Sequence, residues 1–335
     1  GITITNSGTI RATHNIADAR SNVEENYTIS ASQASGTPPG GDVSITNASG
    51  ATISTNSDRA IGVRGFDISG DTVTITNGGT ISAGRDMTLD LKNSDNITLT
   101  NSGTISAGRD KAVEATNAVG FTISNSGTIS AAGDKALDLT AVEDVTITNL
   151  AGGTISAADD YAIFLDDVTG TSMVISNAGI ISAGSGTVGT NPAAIYGNLA
   201  AGVDYISITN AASGSITSVG NLAATGGAIF LDADDAEVNT SNAGTIRAGV
   251  LAASGVTAVE ASNAIRIENI EANDVTISND GGHIEATEDR AIYMAGGGSN
   301  ITSFSLTNTA SSVITAENFV VQLANAAGAS AVINN

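Results

Sequence analysis

Carboxylates return along this chain at a spacing that would let them act together. Asp90, Glu114 and Asp138 stand 24 residues apart. Acidic oxygens gathered in that way suit a hard divalent cation, with calcium the candidate, or are an ordinary solvated surface. A second acidic series, Asp58, Asp86, Asp110, Asp134, Asp160 and Asp289, precedes an apolar segment each time. Asp at a tight corner bonds backbone amides, so turn chemistry accounts for that series. Adjacent acidic pairs occur at Asp159-Asp160, Asp166-Asp167 and Asp234-Asp235. The two histidines, His14 and His283, are far apart, and the chain has neither Cys nor Trp. No Ser-His-Asp set, His-pair metal site or thiolate site can be assembled from that inventory. The Gly-Gly-x-Gly-x-Asp calcium repeat is also missing, and Lys92, Lys111 and Lys135 lie close enough in sequence to neutralise the acidic series. The chain reads as non-catalytic, with Asp90, Glu114 and Asp138 as weak metal candidates.

Residues 24 apart come together only if the chain is a repeat. An alternating strand that ends in Asn, followed by Gly-Thr-Ile-Ser-Ala or a close variant, recurs with its Asn at positions 6, 47, 77, 101, 125, 149, 177, 210, 242, 279, 308 and 335. The clean copy at 73–96 holds three short apolar pieces of period 2, separated by turns rich in Gly, Asn and Asp. Three strands in 24 residues fit one coil of a parallel β-helix, whereas a propeller blade needs about 40 residues and four strands. The expected fold is therefore all-β: a right-handed single-stranded parallel β-helix with three short strands per coil and about eleven coils. At about 4.8 Å per coil the rod would be roughly 50 Å long. One coil cannot bury enough to fold alone, so the copies must stack. The recurring Asn, at Asn77, Asn101, Asn125, Asn149, Asn177 and Asn210 among others, is expected to form an inward amide ladder. A rod of this kind is one continuous domain over 1–335, with corner insertions near 13–42, 184–193, 218–227 and 249–262.

Coil register turns the sequence into columns. On the third strand the expected outward residues are Gly62, Asp90, Glu114, Asp138, Phe164, Tyr196, Phe230, Arg266, Tyr293 and Gln322, an acidic segment followed by an aromatic one. Phe164, Tyr196, Phe230 and Tyr293 are the candidate partner- or glycan-binding stripe; the alternative is that the rings pack on one another. On the first strand, Thr3, Ser44, Thr74, Thr98, Thr122 and Thr146 run beside Thr5, Thr46, Thr76, Thr100, Ser124 and Thr148, a hydroxyl grid that resembles ice-binding β-solenoids. Val174 and Asn239 break it, and Thr also simply favours strands.

The net charge of −22 argues against nucleic acid and against docking on anionic lipid. No apolar run is long enough to span a membrane, and no signal peptide opens the chain, which suits a mature segment. Residues 2–6 and 331–335 share one phase of the repeat, so the parent is expected to continue in both directions or the rods to stack end to end.

The phrases Ile97-Thr98-Leu99-Thr100-Asn101-Ser102-Gly103-Thr104-Ile105-Ser106-Ala107-Gly108 and Phe121-Thr122-Ile123-Ser124-Asn125-Ser126-Gly127-Thr128-Ile129-Ser130-Ala131 resemble the passenger repeats of bacterial autotransporters and related surface adhesins. The resemblance covers nearly the whole chain. It implies export across a Gram-negative outer membrane and display or release at the cell surface; the family's C-terminal membrane barrel has no counterpart in this sequence. The expected function is that of a non-catalytic extracellular rod in adhesion or as a structural, self-assembling surface element. Its partners would be host or neighbouring-cell surface molecules or glycans, or copies of itself end to end. The alternatives are a polysaccharide-active β-helix enzyme and an ice-binding solenoid.

Overall fold

Alternation of Ile, Val or Leu with Thr or Ser commits each short segment to a strand with one apolar face. In the computed structural model those segments stack coil on coil into a parallel β-helix. It describes residues 1–13, 27–33, 41–56, 58–67, 70–184, 193–199, 203–219, 227–233, 236–249, 263–269, 274–287, 289–295, 302–324 and 330–335. No helix occurs among them.

The second strands form an eleven-stranded sheet stacked in strict sequence order from Thr9–Ala12 to Val313–Ala316. Its register never slips: Thr80, Ile81, Ser82 and Ala83 lie against Thr104, Ile105, Ser106 and Ala107, and these against Thr128, Ile129, Ser130 and Ala131. A column of Ile runs up its inner face, with Ile53, Ile81, Ile105, Ile129, Ile155, Ile181, Ile216, Ile246 and Ile284 all fully buried.

First and third strands belong to one twenty-stranded sheet rather than to two separate faces. In the middle coils the third strand of one coil continues into the first strand of the next, as Val113–Asn125, Leu137–Asn149 and Ile163–Asn177. Three short separate strands per coil is therefore the rule elsewhere but not here. The chain turns this corner by left-handed residues, Asn117, Ala141 and Asp167 among them, which drop out of the register while pairing resumes on either side, with a register shift where Ile163–Asn177 meets its neighbours.

The long insertion expected over 13–42 is also different. Tyr27–Ser32 inside it is a strand whose Ile29 and Ala31 lie against Ile61 and Val63. It is the third strand of the first coil, hidden in sequence because its coil is the longest. The insertions near 184–193, 218–227 and 249–262 fall mostly outside the described residues.

The amide ladder runs the whole rod. From Asn6 through Asn47, Asn77, Asn101, Asn125, Asn149, Asn177, Asn210, Asn242, Asn279 and Asn308 to Asn335, each Nδ2 donates to the Oδ1 of the next Asn at 2.7–2.8 Å. The same Nδ2 reaches backbone carbonyls of its own corner and of the next coil; Asn101, for example, is 3.2 Å from Gly103 O and 3.1 Å from Thr128 O. Corner carbonyls that strand pairing leaves free are satisfied in this way inside a buried column.

Candidate functional site along the third strands

In the third strand Leu89–Lys92 the inward Leu89 and Leu91 flank the outward Asp90. Lys92 at the end of that strand, and Lys111 just ahead of Val113 in the next coil, have long side chains that lean over the same face. The outward column is consequently covered. Asp90 is fully buried, Glu114 and Asp138 nearly so, and Phe230 is 4% exposed. The acidic-then-aromatic surface expected from the sequence to be open is closed over its acidic half and at Phe230, and stays partly open at Phe164, Tyr196 and Tyr293.

Its first half is a chain of alternating charges. Asp90 accepts a hydrogen bond from Tyr27 Oη at 2.6 Å and is paired with Arg64 at 2.6 Å and Arg59 at 3.4 Å. Lys92 stands 3.5 Å from Asp90 and 2.9 Å from Glu114; Lys111 bridges Glu114 at 2.6 Å and Asp138 at 2.7 Å; Lys135 follows at 3.6 Å from Asp138. Burial opposes ionisation of Glu114, but the Lys111 and Lys92 ammonium groups outweigh it and hold the carboxyl below its usual range. Burial likewise works against the Lys111 charge, yet Asp138 and Glu114 raise its pKa. The positions a bound cation would take beside Asp90, Glu114 and Asp138 are filled by basic side chains. Among the described residues no three His, Cys, Asp or Glu side chains converge as metal ligands.

The second half is a stack of rings continued by guanidinium groups. Lys135 Nζ sits 4.7 Å from the centroid of Phe164. Phe164 and Tyr196 stack at 5.1 Å, and Tyr196 and Phe230 at 5.0 Å, both pairs inclined by 7°. Arg266 then lies between Phe230 and Tyr293, 5.6 and 5.2 Å from their centroids, and Arg290 covers Tyr293 at 4.7 Å. Tyr161 tilts against both Phe164 and Tyr196. Sugar stacking needs a free ring face, and the rings of the candidate stripe lie against rings or cations of the adjacent coils, with Arg290 of the same strand also over Tyr293. Phe164, Tyr196 and Tyr293 are half-buried and present edges rather than faces.

Sequence reasoning placed Arg266 in the outward column but did not read it, or Arg290, as the continuation of a ring stack, and it missed Tyr27, which lay inside what read as an insertion. Tyr161 had a usable signal, since it occupies the position held by Lys111 and Lys135 in earlier coils. Of the acidic pairs, Asp166 accepts a 2.6 Å hydrogen bond from Asn198 in the next coil, while Asp234-Asp235 and His14 lie outside the described residues. His283 is on the second-strand sheet, 3.4 Å from Thr315 Oγ1.

The hydroxyl grid is in register: Thr74, Thr98, Thr122 and Thr146 are partners in turn, as are Thr76, Thr100, Ser124 and Thr148. Thr146 then meets Val174, and Ser207 meets Asn239, where the grid was expected to break. No protein-family model, curated protein or solved structure matches the chain.

Proposed function

We propose that the chain is a non-catalytic β-helical rod of a bacterial surface protein, acting in adhesion or as a structural surface element. The observation that carries this reading is the closed seam. Within the seam, side chains able to do chemistry are spent on one another, carboxylate against ammonium and ring against guanidinium. Such pairing resists shear between coils and leaves no carboxylate of the seam free to move a proton. The repeat phrases shared in style with autotransporter passengers support display outside the cell. Adhesive contacts would use the ring edges and the corner insertions, since loops on a rigid scaffold vary freely.

The test is retention of cells and an array of glycans by the immobilised chain, run beside a reducing-sugar assay on a panel of polysaccharides. Retention without sugar release is the expected outcome. Release of reducing ends would overturn the reading in favour of the enzyme. A second reading, ice binding, is favoured by the unbroken register of the grid from Thr74 to Thr146; thermal hysteresis in dilute solution of the chain would establish it.

A further inference from the structure

At the corner between second and third strands, successive coils each carry an aspartate at the same place. Ala83, Ala107, Ala131 and Ala157 are partners across the second-strand sheet, and three residues beyond them stand Asp86, Asp110, Asp134 and Asp160. The backbone keeps step through the corner, with Asp110 N–H donating to Arg85 O at 3.1 Å. Adjacent coils rise by about 4.8 Å, so the four half-buried carboxyl groups face one another along the rod. The basic groups around them are few. Arg59 from the preceding coil is 3.6 Å from Asp86, and Lys135 is 3.2 Å from Asp134 and 3.8 Å from Asp160. Lys111, next to Asp110 in the chain, is turned toward the third strand, where it holds Glu114 and Asp138. Asp90, the other carboxylate facing this corner, is paired with Arg64. Arg85 and Arg109 precede Asp86 and Asp110 in the chain, Asp159 and Tyr161 flank Asp160, and Asp110 itself takes part in none of the ion pairs among the described residues.

We propose that this column shares protons between neighbouring coils, so that the middle of the rod is held more firmly in mildly acid than in neutral solution. Like charges one coil apart cannot all ionise in a half-buried corner, and a proton placed between two carboxyl oxygens turns repulsion into a hydrogen bond. Burial, then hydrogen bonds to Asp86 and Asp134, push Asp110 up to about 7. Burial, then the bond to Asp134, push Asp160 up to about 6. Asp134 lies between them; burial works to raise it, but the Lys135 charge and the hydrogen bonds from Asp160 and Asp110 hold it below its ordinary value. Protonated Asp110 and Asp160 thus flank an ionised Asp134.

In the unfolded chain these carboxyls lose their protons near 3.8. Between that value and 6–7 the folded rod therefore holds more protons than the unfolded chain. The stabilisation is complete below the unfolded value and is lost as pH rises through the folded ones. Asp134, Glu114 and Asp144, all held low, oppose this only in stronger acid.

The experiment is chemical denaturation of the whole chain from about pH 5 to about pH 8, beside Asp110→Asn, whose amide keeps the shape and cannot ionise. The expected result is a midpoint that falls with rising pH in the unsubstituted chain and falls less in the variant, with the variant the more stable at the alkaline end. Equal slopes in the two proteins would overturn the proposal. Should Asp110→Asn fail to fold, carboxyl ¹³C spectra of the unsubstituted chain labelled at Asp decide the matter. Resonances titrating near neutrality are expected, and ordinary acid midpoints for every Asp would overturn it.

Discussion

Thr240 interrupts an otherwise aliphatic column, standing between Ile208 and Ile277 with its hydroxyl buried and without a hydrogen-bond partner. A buried hydroxyl that finds no partner keeps its desolvation cost. Thr240→Val, which replaces the hydroxyl by a methyl group of the same shape, is expected to stabilise the chain by about 1 kcal/mol, read as a higher urea midpoint at unchanged slope. Ala141 is a second residue at odds with its place. It holds φ 52° in a corner where Asn93, Asn117 and Asp167 also adopt left-handed conformations. Asn tolerates that region better than Ala, and Asn117 Nδ2 already donates to Asn93 Oδ1 at 3.2 Å one coil away. Ala141→Asn should therefore gain about 1 kcal/mol, seen as a rise in melting temperature; a fall would show that the corner gains nothing from an amide. Neither residue was conspicuous in the sequence, because Thr is ordinary in a strand and Ala ordinary almost anywhere. Only register against adjacent coils marks them.

Among the elements, the corner between first and second strands was the most legible. Its Asn recurs in every copy, and the structure gives each the same partners above and below. Asn125 accepts from Asn101 and donates to Asn149 Oδ1, Gly127 O and Thr154 O. Asn125→Leu leaves those groups buried and unpaired, for a loss of about 4 kcal/mol at roughly 1 kcal/mol per bond, measurable by denaturant titration. The glycine two residues later is fixed by approach rather than by φ. A Cβ on Gly103 or Gly127 would strike the carbonyl oxygen of the glycine one coil below. The corner between third and first strands was less legible, since its sequence varies from coil to coil and its path is set by which residue there can turn left-handed.

For the whole molecule, the controlling fact is that each coil touches only its neighbours, so stability grows by addition along the rod. Removing residues 102–125 deletes one period and joins Asn101 to Ser126 in the phase the structure requires. That shortened chain is expected to fold with full β circular dichroism and a rod shorter by about 4.8 Å, detectable by small-angle scattering. Removing only residues 102–113 takes out the second strand of that coil and sets its third strand against the second strands of its neighbours, and should abolish cooperative unfolding. If both deletions behaved alike, register would not be what holds the rod together.

The sequence by itself determined the architecture, the amide ladder, the hydroxyl columns and the identity of the residues sharing each column. It could do so because a parallel β-helix repeats one local rule, and periodicity along the chain becomes proximity in space. The tertiary structure alone decided what the columns do. Outward on a strand does not mean open to water: Asp90 is fully buried because Arg64, Lys92 and Tyr27, from three different coils, close over it. The rings of Phe164, Tyr196 and Phe230 use their faces on one another for the same reason, a coil rise close to the thickness at which aromatic planes stack. Those outcomes depend on where long side chains lean between coils, a three-dimensional property that no spacing along the chain encodes.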